Sequence, residues 1–202
     1  MEEYKKVTLD SYQKNSHFFA EHFKGVFNLA KREEFIKFIN LLSGKRILDV
    51  GCGGGEHALW FESQGLNVTA IDLSPEMVGI AREKGVNAKI LDMEKMNFSD
   101  SSFDGIWAVA SLIHLKKGNI SNVISSFSKI LRENGVLFIV VKEGIGEDFQ
   151  VDTQNKSTRR YFSYWQEKEL LDVLEKHFEL IEFWKDKPRD VTFLQFFLRN
   201  KK

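Results

Sequence analysis

An apolar run, Ile47-Leu48-Asp49-Val50, breaks into Gly51-Cys52-Gly53-Gly54-Gly55, and the next apolar run closes on Asp72. Four glycines among five residues let a backbone turn sharply and approach a ligand closely. A strand, a glycine turn, a helix opening at Glu56 and a second strand ending in an acid make a nucleotide-type cofactor site. The alternation continues. It predicts strands over 46–50, 67–72, 87–91, 104–109 and 135–142, and helices over 55–64, 75–84 and 119–132. Continuous apolar strands separated by helices belong in a parallel sheet covered on both faces. The expected fold is therefore α/β, doubly wound and Rossmann-like, with ligands at the carboxyl ends of the strands where strand order reverses.

The loop excludes two common ligands. A dinucleotide fingerprint needs a third glycine at the place of Glu56, and a carboxylate there repels a pyrophosphate at the helix N-terminus. Asp49 adds negative charge near the ligand, and Glu56 together with the C-terminal hairpin expected over Phe178–Leu198 argues against a nicotinamide-dependent oxidoreductase. No Lys-Ser or Lys-Thr follows the glycines, so a phosphate-binding loop of the G-x-x-x-x-G-K-[ST] type is absent. The remaining ligand lacks phosphates and carries positive charge. S-adenosylmethionine, with a sulfonium, an ammonium, a ribose diol and an adenine, is such a ligand.

At these residues the chain resembles the class I S-adenosylmethionine-dependent methyltransferases. Asp49-Val50-Gly51-Cys52-Gly53-Gly54-Gly55 is similar to their D-x-G-x-G-x-G first motif. Asp72 lies 21 residues after Gly51, near the ~20-residue spacing of an acid that holds a ribose diol. Val86–Met93, Phe103–Val109 and Gly135–Val141 resemble the third, fourth and fifth strands in order. The resemblance covers residues 46–145 and implies a seven-stranded sheet with an antiparallel C-terminal strand. It implies that Gly51, Cys52, Gly53 and Gly55 approach the cofactor and that Asp49 helps place its amino group. It further implies that Asp72 takes the ribose, that Leu73 and Met77 pack the ring, and that Asp92, Met93 and Glu94 hold the adenine. Ala110 is also expected at the cofactor. Asp49 and Asp72 are also plausible as helix caps, the second ahead of Ser74-Pro75-Glu76.

The flanks read differently. Residues 1–45 are expected to be helical, with Phe19, Phe23, Val26 and Phe27 and then Phe35, Ile36, Phe38, Ile39 and Leu42 at helical spacing. Asp10–Asn15 is similar to the tyrosine-bearing start of the family's N-terminal lid, which makes Tyr12 a candidate contact. The last third predicts a helix over Glu167–His177 and strands over Phe178–Trp184 and Val191–Leu198. Residues 144–165 are polar and are expected to form a substrate loop, in which Arg159 and Tyr161 are candidates for gripping an acceptor. One domain over residues 1–202 is expected from the length.

Methyl transfer from a sulfonium is an in-line displacement, so the protein mainly aligns the reactants and excludes water. A general base is optional. His114, after the fourth strand, and Glu143, ending the fifth, are the candidates; a loop histidine and a solvated carboxylate are the plainer alternatives. No paired Cys or clustered His suggests a metal. The 29 basic and 29 acidic residues cancel, which gives no general pull toward DNA or anionic membrane. One cysteine, no long apolar run and no signal peptide together suggest a cytoplasmic protein. The expected partner is a small-molecule acceptor, with the protein a monomer or homodimer. The same site also fits methylation of protein or tRNA, or a non-catalytic cofactor-binding regulator.

Overall fold

The computed structural model describes residues 1–19, 33–152, 156, 158–188 and 190–202. The expectations for Phe23, Val26 and Phe27 lie outside the described residues. Two helices precede the sheet, α1 (Glu3–Lys14) and α2 (Glu33–Leu41). Then come β1 (Arg46–Val50), α3 (Glu56–Ser63), β2 (Asn67–Asp72), α4 (Pro75–Glu83), β3 (Ala88–Ile90), β4 (Phe103–Val109), α5 (Ile120–Ile130) and β5 (Leu131–Lys142). A hairpin, β6 (Glu147–Val151) and β7 (Arg159–Ser163), leads to α6 (Glu167–Leu174), β8 (Phe178–Asp186) and β9 (Phe193–Asn200).

Seven strands form one sheet in the order β3-β2-β1-β4-β5-β9-β8. β1 to β5 run parallel, while β9 is antiparallel to both β5 and β8. The chain winds outward from β1 to β3, returns to β4, and winds the other way. The crevice therefore opens at the carboxyl ends of β1 and β4.

Alternation along β4 explains the two layers. Ile106 and Ala108 enter a core with α5 and α6, while Trp107 enters a core with α2, α3 and α4. The Trp107 ring lies 4.4 Å from Phe138, 4.6 Å from Phe35 and 5.0 Å from Phe61, between ring centroids. Its Nε1 donates to His57 Nδ1 at 3.0 Å, which satisfies a polar atom that burial would otherwise strand. Asp104, 2% exposed, accepts from Arg46 N and from Arg132 Nη1, both at 2.9 Å. Asp104→Ala leaves the Arg46 N–H unmet and is expected to cost about 1–2 kcal/mol in urea unfolding; an unchanged midpoint would show that water replaces the carboxylate.

Two expectations are corrected. β5 begins at Leu131 rather than 135, because Leu131 pairs with Phe103 before a register shift across Arg132–Gly135. The expected loop over 144–165 instead holds the β6–β7 hairpin, paired from Glu147↔Ser163 to Val151↔Arg159. Its polar composition hid the strands: β6 is largely exposed, and the outer backbone groups of β7 are met by side chains of α1. Ser11 Oγ accepts from Arg159 N at 2.7 Å and donates to Arg159 O at 2.8 Å, and Thr8 Oγ1 accepts from Tyr161 N at 2.9 Å.

Candidate functional site

A cavity of about 200 Å³ occupies the crevice. Its floor is the glycine turn. Gly51 N and Cys52 N donate to Ile71 O at 2.8 and 3.0 Å, tying the turn to β2. Gly51 has φ +74°, and a Cβ there would stand 2.3 Å from Ser111 Cβ. Asp72 fastens the next part of the turn. Its Oδ2 accepts from Gly53 N and its Oδ1 from Ser74 N, both at 2.9 Å. Burial raises the Asp72 carboxyl above its ordinary value, and these N–H donors oppose the rise. Ser74 Oγ, which accepts from Met77 N, caps α4.

Asp49 is different. It is 2% exposed, and its Oδ2 has no hydrogen-bond partner among the described residues. Burial, and then the neighbouring Asp72, push its carboxyl up to about 8. A buried carboxylate oxygen without a partner is costly unless a donor arrives. Ser111 Oγ, across from Gly51, is a second buried atom without a partner. The site thus offers an acid and a hydroxyl to a polar, cationic ligand.

The cavity brings together most of the sequence candidates. Asp49, Gly51, Cys52 and Gly53 line it from the first turn. Asp72, Leu73 and Met77 follow from the second, Asp92 and Met93 from the third, and Ala110 and His114 from the loop after β4. Tyr12 reaches in from α1. Five candidates do not line it. Gly55 caps α3 at φ +84°, and a Cβ there would meet Ala81 Cβ at 2.9 Å, so it serves close packing. Glu94 is paired with Lys5. Glu143 accepts from Lys185 Nζ at 2.6 Å on the outer side of the sheet. Arg159 lies over the Phe149 ring, and the Tyr161 ring packs against Tyr4 and Phe149. Lining residues that the sequence did not single out include Lys5, Thr8, His57 and Ser111. His57, in the first turn of α3, and Ser111, in the loop after β4, carry no motif signal of their own. Lys5 carries none at all, because its partner Asp92 is 87 residues away.

The roof is α1 held on the hairpin. Lys5, 8% exposed, pairs with Asp92 Oδ2 at 2.6 Å and with Glu94. At the other end Tyr12 and His114 meet. His114 Nδ1 lies 2.7 Å from Tyr161 O, which can only accept, so Nδ1 carries the proton. Nε2 then accepts from the Tyr12 hydroxyl at 3.0 Å, and the Tyr12 oxygen accepts from Arg160 Nη1 at 3.2 Å. Every donor in this chain has one direction. Burial, then Arg160, hold the His114 pKa down to about 3. His114 is therefore neutral across the ordinary pH range, and both of its nitrogens are engaged. Tyr12→Phe removes a donor to one buried atom and an acceptor from another, and is expected to cost about 1–2 kcal/mol in chemical unfolding. Equal stability of the two proteins would mean that the hydroxyl does not hold α1 down.

With this geometry in hand, comparison with known proteins can be read. Residues 48–139 match the family model described as a methyltransferase domain. Among curated proteins it is 36% identical over 109 residues to an uncharacterized methyltransferase of Schizosaccharomyces pombe, covering 51% of this chain and 42% of that protein. It is 30% identical over 145 residues to a ubiquinone biosynthesis O-methyltransferase of Xylella fastidiosa, covering 64% of this chain and 58% of that one. The matches thus span about half the length of these relatives. A solved methyltransferase from Methanosarcina mazei superimposes with TM-score 0.72 at 23% identity, over 82% of this chain and 98% of that one. The 1,6-didemethyltoxoflavin-N1-methyltransferase of Burkholderia thailandensis, solved with S-adenosylhomocysteine, superimposes with TM-score 0.70 at 21% identity, over 99% and 90%. Among the described residues no helix is long and apolar enough to cross a membrane, and no cluster of metal-ligating side chains is found.

Proposed function

We propose that the protein transfers a methyl group from S-adenosylmethionine to a small-molecule acceptor. The observation that carries the reading is the buried Asp49 Oδ2, which has no partner among the described residues and lies in the cavity beside the glycine turn. The ammonium of the cofactor is the group that satisfies it. Gly51 and Gly53 let the turn approach, and the lone pairs left on Asp72 after its two backbone bonds take the ribose hydroxyls. Leu73, Met77 and Met93 pack against the adenine, with Asp92 at its amino edge beside Lys5. The donor set therefore fits the cofactor: an acid for the cation, an acid for the diol, and apolar side chains for the ring.

When bound, the cofactor supplies a methyl already activated on a sulfonium. The chain's own task is alignment: reacting atoms ~3–3.5 Å apart and in line, with water kept out. Tyr12 and α1 close over the cavity. His114 orients Tyr12 through Nε2; its low pKa and its two occupied nitrogens favour a positioning role over that of a general base. Turnover is accordingly expected to show no limb near pH 6.5 from this histidine, while a limb there that vanishes in His114→Gln would restore it as a base. Calorimetric titration with S-adenosylmethionine and S-adenosylhomocysteine tests the cofactor reading directly. Micromolar binding of both supports it; no binding to folded protein removes it. Release of S-adenosylhomocysteine with a pool of small-molecule acceptors, but not without it, then separates an enzyme from a cofactor-binding regulator.

A further inference from the structure

The glycine turn has spent its first backbone donors. Gly51 N and Cys52 N donate to Ile71 O, and Gly53 N donates to Asp72 Oδ2. Two side chains beside them in the cavity wall still have hydrogen-bonding capacity, Asp49 in β1 and Ser111 after β4. Both are buried, at 2% and 5% exposure. Neither Asp49 Oδ2 nor Ser111 Oγ has a partner among the described residues.

The fold brings the two to one place. β1 and β4 are neighbours in the sheet, with Asp49 opposite Trp107. Past the end of β4, Ala110 takes φ +52°, which is uncommon for a residue with a Cβ. Its N–H donates to Val140 O at 3.0 Å, which pins it to β5. Ser111 then packs against Gly51: a Cβ at Gly51 would lie 2.3 Å from Ser111 Cβ and 3.3 Å from Ser111 Oγ. Sparsely populated backbone conformations persist where their surroundings hold them, and they gather at ligand sites. Here one delivers an unmet hydroxyl to the wall of a cavity.

The chemistry of the pair is complementary to an α-amino acid. An ionised Asp49 accepts hydrogen bonds and cannot donate, whereas the Ser111 hydroxyl can donate one. An ammonium satisfies the first and a carboxylate the second, and an amino acid carries both on one carbon. A carboxylate entering beside Asp49 and Asp72 is repelled by them and needs a donor close by. With the N–H groups of Gly51, Cys52 and Gly53 already committed, the Ser111 hydroxyl supplies it.

We propose that Ser111 binds the α-carboxylate of S-adenosylmethionine while Asp49 holds the ammonium on the same carbon. The inference rests on the methyl-transfer reading and assigns a further cofactor-binding residue to that same site. A head held at two atoms cannot swivel about one bond, so the pair also fixes the direction of the sulfonium two methylenes away.

The test is calorimetric titration of the whole chain with three ligands. S-adenosylhomocysteine carries both charges, its decarboxylated counterpart keeps the ammonium alone, and methylthioadenosine has neither. The wild-type protein is expected to bind S-adenosylhomocysteine about tenfold more tightly than the decarboxylated ligand, the scale of one charge-assisted hydrogen bond. Ser111→Ala is expected to abolish that preference by weakening S-adenosylhomocysteine alone, with the other two affinities unchanged. Without ligand, its thermal midpoint is expected to equal or exceed that of wild type, because the hydroxyl makes no bond there. A preference that survives in Ser111→Ala, equal losses for all three ligands, or a lowered midpoint overturns the inference, as does a wild-type protein indifferent to the carboxylate. Failure of the wild-type chain to bind S-adenosylhomocysteine at all instead strikes at the cofactor reading, and the inference falls with it.

Discussion

Asp49→Asn is expected to move stability and cofactor affinity in opposite directions. In the wild-type protein burial and Asp72 hold the Asp49 carboxyl up at about 8, against about 3.9 in an unfolded chain. Between those values the folded state keeps a proton that the unfolded state has released. Wild-type stability therefore falls as pH rises through that window. Asparagine does not titrate, so the variant's advantage widens from about pH 4 toward pH 8. Near pH 7.5 it is expected to unfold about 1–3 kcal/mol harder than wild type, because the unfolded wild-type chain gains free energy by ionising Asp49 and the variant's unfolded chain does not. The same change removes the negative charge offered to the cofactor's ammonium. Affinity for S-adenosylmethionine is expected to fall about 10- to 100-fold, equivalent to about 1.5–3 kcal/mol. Because binding draws Asp49 into its ionised form, the wild-type protein should also release a proton on binding near pH 7, read by calorimetry in buffers of different ionisation enthalpy. Loss of stability together with unchanged affinity would show Asp49 to be a structural residue.

Gly51→Ala is the second large effect. Two separate penalties meet at this position. A residue other than glycine is strained at φ +74°, by about 1–2 kcal/mol. The new methyl would also stand 2.3 Å from Ser111 Cβ, and relieving such an overlap costs about 1–3 kcal/mol. The sum, about 2–5 kcal/mol, should lower the thermal midpoint by roughly 5–15 °C. Any relaxation must move either the turn that floors the cavity or the loop that carries Ser111, so binding of S-adenosylmethionine is expected to weaken as well. Gly51→Ala combined with Ser111→Gly separates the two penalties. The pair is expected to recover the part due to the overlap and keep the part due to φ. Full recovery, or none, would show that only one of them operates.

The sequence was most legible where chemistry and local backbone need coincide. The turn from Gly51 to Gly55 must be glycine-rich because three of its residues have positive φ, and Asp49 and Asp72 stand at strand ends because the fold places them there. The parallel strands were legible because both of their faces are buried, so their apolar runs are continuous. Gly55 shows the limit of that reading. Its conformation follows from the motif, yet its neighbour is Ala81 on α4 rather than the cavity. The β6–β7 hairpin was illegible for a related reason. Its polar residues resemble a solvated loop until α1 is laid along it, and the bonds from Ser11 and Thr8 span 148 and 153 residues.

The sequence by itself determined the doubly wound order of elements, the glycine turn and the acids around it, since each depends on residues close together along the chain. Tertiary structure alone decided what closes the cavity. Which way Glu143 and Lys142 turn, whether His114 holds a free nitrogen, and whether Lys5 reaches Asp92 depend on which distant segments pack together. Two adjacent residues at the end of β5 differ in just this way: Glu143 turns out to Lys185, and Lys142 turns in to Phe162. Successive side chains on a strand point to opposite sides, and only packing decides which side becomes the interior.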